Sequence, residues 1–297
     1  MNIAILSKGE HLYSTQSILN AGLARNHAME VLDPSLCTLV KENKKAVLYY
    51  CNEVVNDLHA VIPRIGSSNT FFGTSIVRHF ESMGVFSTVT ATAILQSRDK
   101  WICFQELSKA ALPTPKTVLG EGYDLATILE GFGYGPVIIK TVQGTHGEGV
   151  ILAESYQSAV SIIDTLRAAK MKFVIQEYIE ESKGTDIRVI VVDGVVVAAM
   201  KRQSKAGDFR SNLHRGGSAI PFKLSQQEEN LALKTARVLR LGVCGIDLLQ
   251  SKRGPLVLEV NSTPGLEGIE KTTGLNISKQ IISYIERNKR TISPLTL

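Results

Sequence analysis

The sequence lacks the features that mark several classes of protein. None of its 297 residues falls in an apolar run of eighteen or more, which excludes a membrane-spanning helix. The opening stretch, Met1–Glu10, has no basic segment ahead of its apolar run, and that run is only strand-length. No secretory leader is therefore expected, and the cytoplasm is the expected location. Cysteine is scarce: Cys37, Cys51, Cys103 and Cys244 form no Cys-x-x-Cys pair, and their spacing fits neither a zinc site nor a disulfide framework. Reduced thiols are the reading. No block of five basic residues occurs, nor any interleaving of basic and aromatic residues, so dedicated nucleic-acid binding is not expected. No Gly-x-Gly-x-x-Gly follows the first strand, which disfavours a dinucleotide site. No Ser/His/Asp constellation signals nucleophilic catalysis.

What is present suits an enzyme of two or three subdomains. Apolar residues make up 44% and charged residues 21%, enough for a substantial core, and the net charge of +5 fits phosphate-bearing or acidic substrates. Residues 1–95 alternate short apolar strands (2–6, 30–32, 60–65) with helical stretches (14–26, 72–83), which predicts a parallel α/β sheet. Ser97-Arg98-Asp99-Lys100 opens a helix through Ala111, stopped by Pro113 and Pro115. Strands at 136–142, 150–153 and 173–178 enclose a glycine loop and a helix at 156–169. The remainder reads as antiparallel: a hairpin turning at Asp193-Gly194, a helix at 228–241, a second hairpin turning at 251–254, and a last helix at 278–288.

The second hairpin is the most informative segment. Its strands read Gly245-Ile246-Asp247-Leu248-Leu249 and Val257-Leu258-Glu259-Val260-Asn261, and apolar neighbours suggest that both are largely buried. Glu259 and Asn261 share a face, and pairing can set Asp247 beside Glu259. One buried acid could be satisfied by an amide and backbone; two close acids repel, and oxygen donors of this kind suit Mg²⁺. Gly144-Thr145-His146-Gly147-Glu148-Gly149 can bend tightly and form an anion nest, although such a run is equally a hairpin turn. Lys140, closing the apolar strand before it, is placed to meet phosphate as a point charge. Lys100 could supply a second cation or be a solvated lysine. Gln176-Glu177-Tyr178-Ile179, where the chain passes between subdomains, could offer backbone groups to a purine edge or be an ordinary strand end. The arginine- and glycine-rich segment 202–217 could close over anions or be a solvated loop. These features fit a kinase as well as a ligase.

Lys140 before its glycine loop, Gln176-Glu177-Tyr178-Ile179, and Asp247 followed by Glu259-Val260-Asn261 together resemble the ATP-grasp superfamily. Ile62-Pro63-Arg64-Ile65-Gly66, the run from Gly207 to Gly217, and the run from Asn261 to Glu270 are similar to the RimK-type α-L-glutamate ligases. That resemblance implies an N-terminal pre-ATP-grasp parallel α/β domain (1–95) and a two-subdomain α+β ATP-grasp fold. The fold divides into a small central subdomain (96–176) and a C-terminal subdomain with the metal site (177–297). It implies ATP as co-substrate, with Lys100 and Lys140 on the phosphates, and Glu177, Tyr178 and Asp186 on adenosine, the last through ribose hydroxyls. Arg210, Ser211 and Asn212 would lie near the phosphates. Asp247, Glu259 and Asn261 would hold two Mg²⁺ or Mn²⁺ ions. Arg210, Lys140 and Arg202 are the expected catalytic set, and Arg64, Arg188 and Arg202 the expected contacts for substrate carboxylates. The implied reaction joins L-glutamate to the C-terminus of a small-subunit ribosomal protein through an acyl phosphate, or serves another acidic peptide, carrier protein or small-molecule acceptor. A homo-oligomer is expected.

Overall fold

The computed structural model describes residues 1–43, 45–120, 124–142, 149–182, 184–205, 209, 211 and 216–288. The chain begins with β1 (Asn2–Leu6), α1 (Tyr13–Leu23) and β2 (Ala28–Leu32). α1 stops short of the expected residue 26 because the chain turns, with Asn26 at φ 58°. A small antiparallel sheet, absent from the sequence reading, follows: β3 (Cys37–Glu42), β4 (Lys45–Tyr50) and β5 (Glu53–Val54). Next come β6 (Ala60–Pro63), α2 (Thr70–Ser82) and β7 (Phe86–Ser87). Strands β2-β1-β6-β7 form a parallel sheet in that order, as the alternation of strands and helices predicts.

The single helix expected from Ser97 to Ala111 is two. α3 (Ala91–Arg98) ends at Asp99, and α4 (Lys100–Lys109) begins there. Asp99 has extended backbone, and its carboxylate accepts from the Trp101 and Ile102 N–H groups, a cap that restarts the helix in a new direction.

The central unit holds β8 (Thr117–Val118), α5 (Leu125–Glu130), β9 (Val137–Thr141), β10 (Val150–Ala153), α6 (Tyr156–Ala168) and β11 (Phe173–Glu177). Its antiparallel sheet runs β10-β9-β11-β8. Val137, Ile139, Ala153 and Ile175 share a core with Ile128, Leu129, Ile163 and Leu166 of the two helices, so one sheet face is covered. Lys140, Gln176 and Thr117 belong to the opposite face by register.

The last unit holds β12 (Thr185–Val192), β13 (Val195–Gln203), β14 (Ser218–Pro221), α7 (Gln226–Val238), β15 (Val243–Ser251), β16 (Gly254–Asn261), α8 (Glu267–Thr273) and α9 (Ile277–Asn288). Its sheet runs β14-β13-β12-β15-β16. Asp193 and Gly194 take φ 53° and 71° in the β12–β13 turn, the conformation expected of Asp-Gly. A continuous apolar core joins this sheet to the N-terminal one and includes Cys103 and Leu107 of α4, whereas the central sheet keeps a core of its own. α9 returns to α1, where Glu286 pairs with Arg25 and His27. All four cysteines are free; burial pushes the Cys103 and Cys244 thiols up to about 12. Among the described residues no helix is long and apolar enough to cross a membrane.

Candidate active site

The geometry of the second hairpin depends on one extra residue. From the turn inward, Ser251 faces Gly254, Gln250 faces Pro255, Leu249 faces Leu256, and Leu248 faces Val257. Continued unbroken, that register would set Asp247 opposite Leu258 and turn Glu259 to the other face. Instead the pairing shifts between Asp247 and Leu248, so Leu258 is a bulge and Asp247 faces Glu259, with Gly245 facing Asn261. The bulge thus brings the two acids and the amide to one face. Asp247 is 3% exposed, as the apolar pattern suggests. Glu259 is exposed, a departure from the buried strand expected, because it stands at the sheet's outer strand facing open space.

Asp247 does not lie bare in the sheet. On β12, Arg188 is its direct cross-strand partner, and donates through Nε and Nη2 to Asp247 Oδ1 and Oδ2 at 2.7 and 2.7 Å. Arg202 of β13 donates through Nη2 to Asp247 Oδ2 at 2.9 Å. Arg202 also forks onto its own cross-strand partner, Asp186, with both bonds at 2.6 Å, and Ser211 Oγ donates to Asp186 Oδ2. Two buried acids and two arginines therefore cancel one another. Burial raises the Asp247 carboxyl, but Arg188 and Arg202 outweigh it and hold the group down at about 2. Burial likewise opposes the charge of Arg202, yet Asp247 and Asp186 hold its pKa above the ordinary arginine value. Arg188 is thus a clamp on Asp247; its sequence signal is an arginine within the apolar run Ile187–Val192, where a buried cation needs a partner.

Across from this sheet stands Lys140, whose Nζ donates to Gln176 Oε1 at 2.6 Å. Burial takes its pKa down to about 8; Glu259 and Asp247 raise it and Lys100 lowers it, which puts those three groups within electrostatic reach of Lys140. Lys100 is half-buried at the first turn of α4. Glu177 ends β11, and its carboxylate accepts from Arg253 at 2.7 Å and from the Lys116 N–H at 3.1 Å. Tyr178 is half-buried where the chain leaves the central sheet for β12. Arg64 donates through Nη2 to the Pro264 carbonyl at 2.8 Å, and burial lowers its pKa to about 10. The structure thus brings together Lys100, Lys140, Asp247 and Glu259, and gathers Asp186, Ser211 and Arg202 beside Asp247. Arg210, Asn212, His146 and the run from Gly144 to Glu148 lie outside the described residues.

The donor set fits a hard divalent cation. Among the described residues, three hydrogen bonds to Asp247 leave one of its roughly four acceptor positions open, on Oδ1. Glu259 offers an exposed carboxylate. Asn261 lies on the same face; its buried side-chain nitrogen, a donor, has no partner among the described residues, and its amide oxygen is the atom that could meet a cation. No cluster of three His, Cys, Asp or Glu able to hold a metal occurs among the described residues, so a third protein donor here would have to be an oxygen of another kind, such as the Asn261 amide. Few protein oxygens, completed by water and phosphate, are the preference of Mg²⁺.

Comparison with known proteins identifies the family. The RimK PreATP-grasp domain family matches residues 1–94, and the RimK-like ATP-grasp domain family matches residues 97–285. A relative from Vibrio parahaemolyticus, described as a probable alpha-L-glutamate ligase, is 46% identical over 98% of this chain and 97% of its own. One of the same description from Thioalkalivibrio sulfidiphilus is 44% identical over 98% of this chain and 97% of its own. Among solved structures, the ATP-grasp ligase PsnB complexed with minimal precursor superposes with TM-score 0.77 at 19% identity, covering 96% of this chain and 98% of PsnB. The RimK domain protein ATP-grasp from Sphaerobacter thermophilus gives TM-score 0.73 at 18% identity, over 96% and 99% of the two chains. These last two establish the fold. With both family domains matched in tandem and close relatives aligned along nearly the whole length, the chain belongs to the RimK family of ATP-grasp enzymes and is an ATP-dependent ligase.

Proposed function

We propose that this enzyme joins L-glutamate to the C-terminal carboxylate of a small-subunit ribosomal protein through an acyl phosphate. The supporting observation is the convergence of Lys140 and Lys100 with Asp247 and Glu259 between two sheets. Cations that meet phosphates then face the acids that meet a metal. The glutamate comes from the description shared by the aligned relatives. The division of the chain at 95/96 and 176/177 is part of the proposal, with ATP between the second and third units. So is a cytoplasmic location, where the four free thiols stay reduced.

In the first step an acceptor carboxylate oxygen attacks the γ-phosphorus of ATP. An O–P bond forms, the bond to the β-phosphate oxygen breaks, and ADP leaves. In the second, the glutamate α-amine attacks the acyl carbon; the C–N bond forms, phosphate leaves, and the amine loses its proton to solvent. Lys100, Lys140 and Arg210 offset charge on the transferring group. Asp247, Glu259 and Asn261 would hold two Mg²⁺ or Mn²⁺ ions, which supply charge neutralisation at the phosphates. Glu177 and Tyr178 would border adenosine, and Ser211 and Asn212 the phosphates. A ribose hydroxyl on Asp186 would share its oxygens with Arg202 and Ser211. Arg188 and Arg202 use Nε and Nη2 for their forks, so Nη1 is the edge each would turn to a substrate carboxylate.

The test is incubation with ATP, Mg²⁺, glutamate and purified ribosomal proteins, read by intact mass. A ladder spaced by one glutamate residue on a small-subunit protein is the expected result. The same ladder on a different acidic peptide or carrier protein would replace the acceptor. ADP release with no glutamate-dependent product would overturn the ligation itself.

A further inference from the structure

On the cleft face of the central sheet, Lys140 is the end of a chain of hydrogen bonds whose direction is fixed. The Thr117 hydroxyl donates its one hydrogen to the Pro115 carbonyl at 2.9 Å. A carbonyl can only accept, so the Thr117 oxygen is left to act as acceptor toward its other neighbour. That neighbour is the side-chain amide of Gln176, whose Nε2 donates to Thr117 Oγ1 at 2.9 Å. The amide is therefore held nitrogen toward Thr117 and oxygen toward Lys140, and Oε1 accepts from Nζ at 2.6 Å. Gln176 is 1% exposed, so water does not compete for either end. The register places the three residues together: Thr117 faces Gln176 directly across β8 and β11, and Lys140 lies diagonally across on β9.

The chemistry of the acceptor matters as much as its direction. A carboxylate at this position would neutralise the ammonium and compete with an incoming phosphate oxygen. An amide oxygen fixes the ammonium with one of its three N–H groups without neutralising it, and among the described residues no carboxylate is hydrogen-bonded to the other two. We propose that Gln176, oriented by Thr117, is the positioning residue that presents Lys140, held by a neutral partner instead of a carboxylate, to the nucleotide phosphates. This rests on the reading of Lys140 as a phosphate contact. It predicts an effect confined to nucleotide, because the chain of bonds touches neither the acids of the other sheet nor its arginines.

The test compares Gln176→Glu, Gln176→Met, Thr117→Val, Thr117→Ser and Lys140→Met in the full-length enzyme. The readouts are calorimetric binding of a non-hydrolysable ATP analogue with Mg²⁺, KM for ATP and for glutamate, and thermal unfolding. Gln176→Glu is expected to melt no lower than the parent, since it gains an ion pair, yet to weaken analogue binding by about tenfold or more. Its KM for glutamate should be unchanged. Thr117→Val, which removes the acceptor that orients the amide, is expected to weaken binding by about three- to tenfold, with Thr117→Ser restoring it. Parent-like analogue binding by Gln176→Glu, with Lys140→Met still impaired, overturns the positioning role and leaves the phosphate contact standing. Parent-like binding by Lys140→Met overturns both. Equal rises in KM for ATP and glutamate, or loss of melting temperature in step with loss of binding across the series, would show Gln176 to be structural only and overturn the proposal. Should Gln176→Met not fold, Gln176→Glu and the Thr117 pair decide the question.

Discussion

The two walls of the site treat charge in opposite ways. On the five-stranded sheet, the acid that would bind metal is locked by arginines: Asp247 takes three hydrogen bonds from Arg188 and Arg202, and Arg202 is itself held by Asp186. On the central sheet, Lys140 has a neutral partner, Gln176, and burial depresses its pKa to about 8. One wall is balanced internally and built into the fold. The other carries a charge with no direct ion pair among the described residues, which burial disfavours and a polyanion would relieve. Stability and function should accordingly separate between them.

The sharpest break in that contrast is Asp247→Ala. It leaves Arg188 without its carboxylate partner and Arg202 with Asp186 alone, and the expected loss of unfolding free energy is about 3–5 kcal/mol in urea titrations, together with loss of ligation. A loss no larger than that of a surface substitution would mean that the arginine lock does not hold the sheet. Next is Lys140→Met, expected to lower kcat/KM for ATP by about a hundredfold or more with little loss of stability, since it removes a charge that burial disfavours. Equal losses of stability in the two variants would abolish the distinction.

The pH responses should diverge as well. Lys140 has its folded pKa near 8, below the ordinary 10.5, so between those values the unfolded chain binds the extra proton. Its contribution to stability therefore rises with pH across that window. ATP affinity should do the reverse, falling as pH passes 8 and the cation discharges, with the KM for ATP of Lys140→Met flat over the same range. Asp247, held near 2 against an ordinary 3.8, contributes stability that is complete above 3.8 and is lost as pH falls through 2. Smallest of all should be Arg253→Ala. Its pair with Glu177 lies at the exposed rim, and thermal unfolding should register no more than about 1 kcal/mol.

Much of this was legible from residue pattern. The parallel N-terminal sheet follows from strands alternating with helices, and the Asp193-Gly194 turn from the positive φ that pair tolerates. The meeting of Asp247 and Glu259 was legible as a possibility, because Glu259 and Asn261 lie two apart. The bulge at Leu258 that realises it was not, since nothing in Val257-Leu258-Glu259 distinguishes a bulge from a regular strand. The break at Asp99 was readable: an aspartate between two helical runs is a cap. The hairpin from Cys37 to Tyr50 was missed because its strands are short and only partly apolar, and gain their burial by packing against α2. The pairing of Arg188 and Arg202 with Asp247 and Asp186 needed the register of three strands, which pairs residues far apart in the chain.

The bulge at Leu258 also divides the hairpin into two reading frames. Outward of it, which residue meets which is counted from the turn; inward, the count is offset by one. The tip can therefore change its sequence without re-indexing the acids, provided the offset is kept. Removal of Leu258 would straighten the strand yet keep Glu259 opposite Asp247 and Asn261 opposite Gly245, since the pairs on either side already skip that residue. What the site inherits is the pairing of Asp247 with Glu259, and Leu258 is the residue that this pairing passes over, as speech passes over a silent letter.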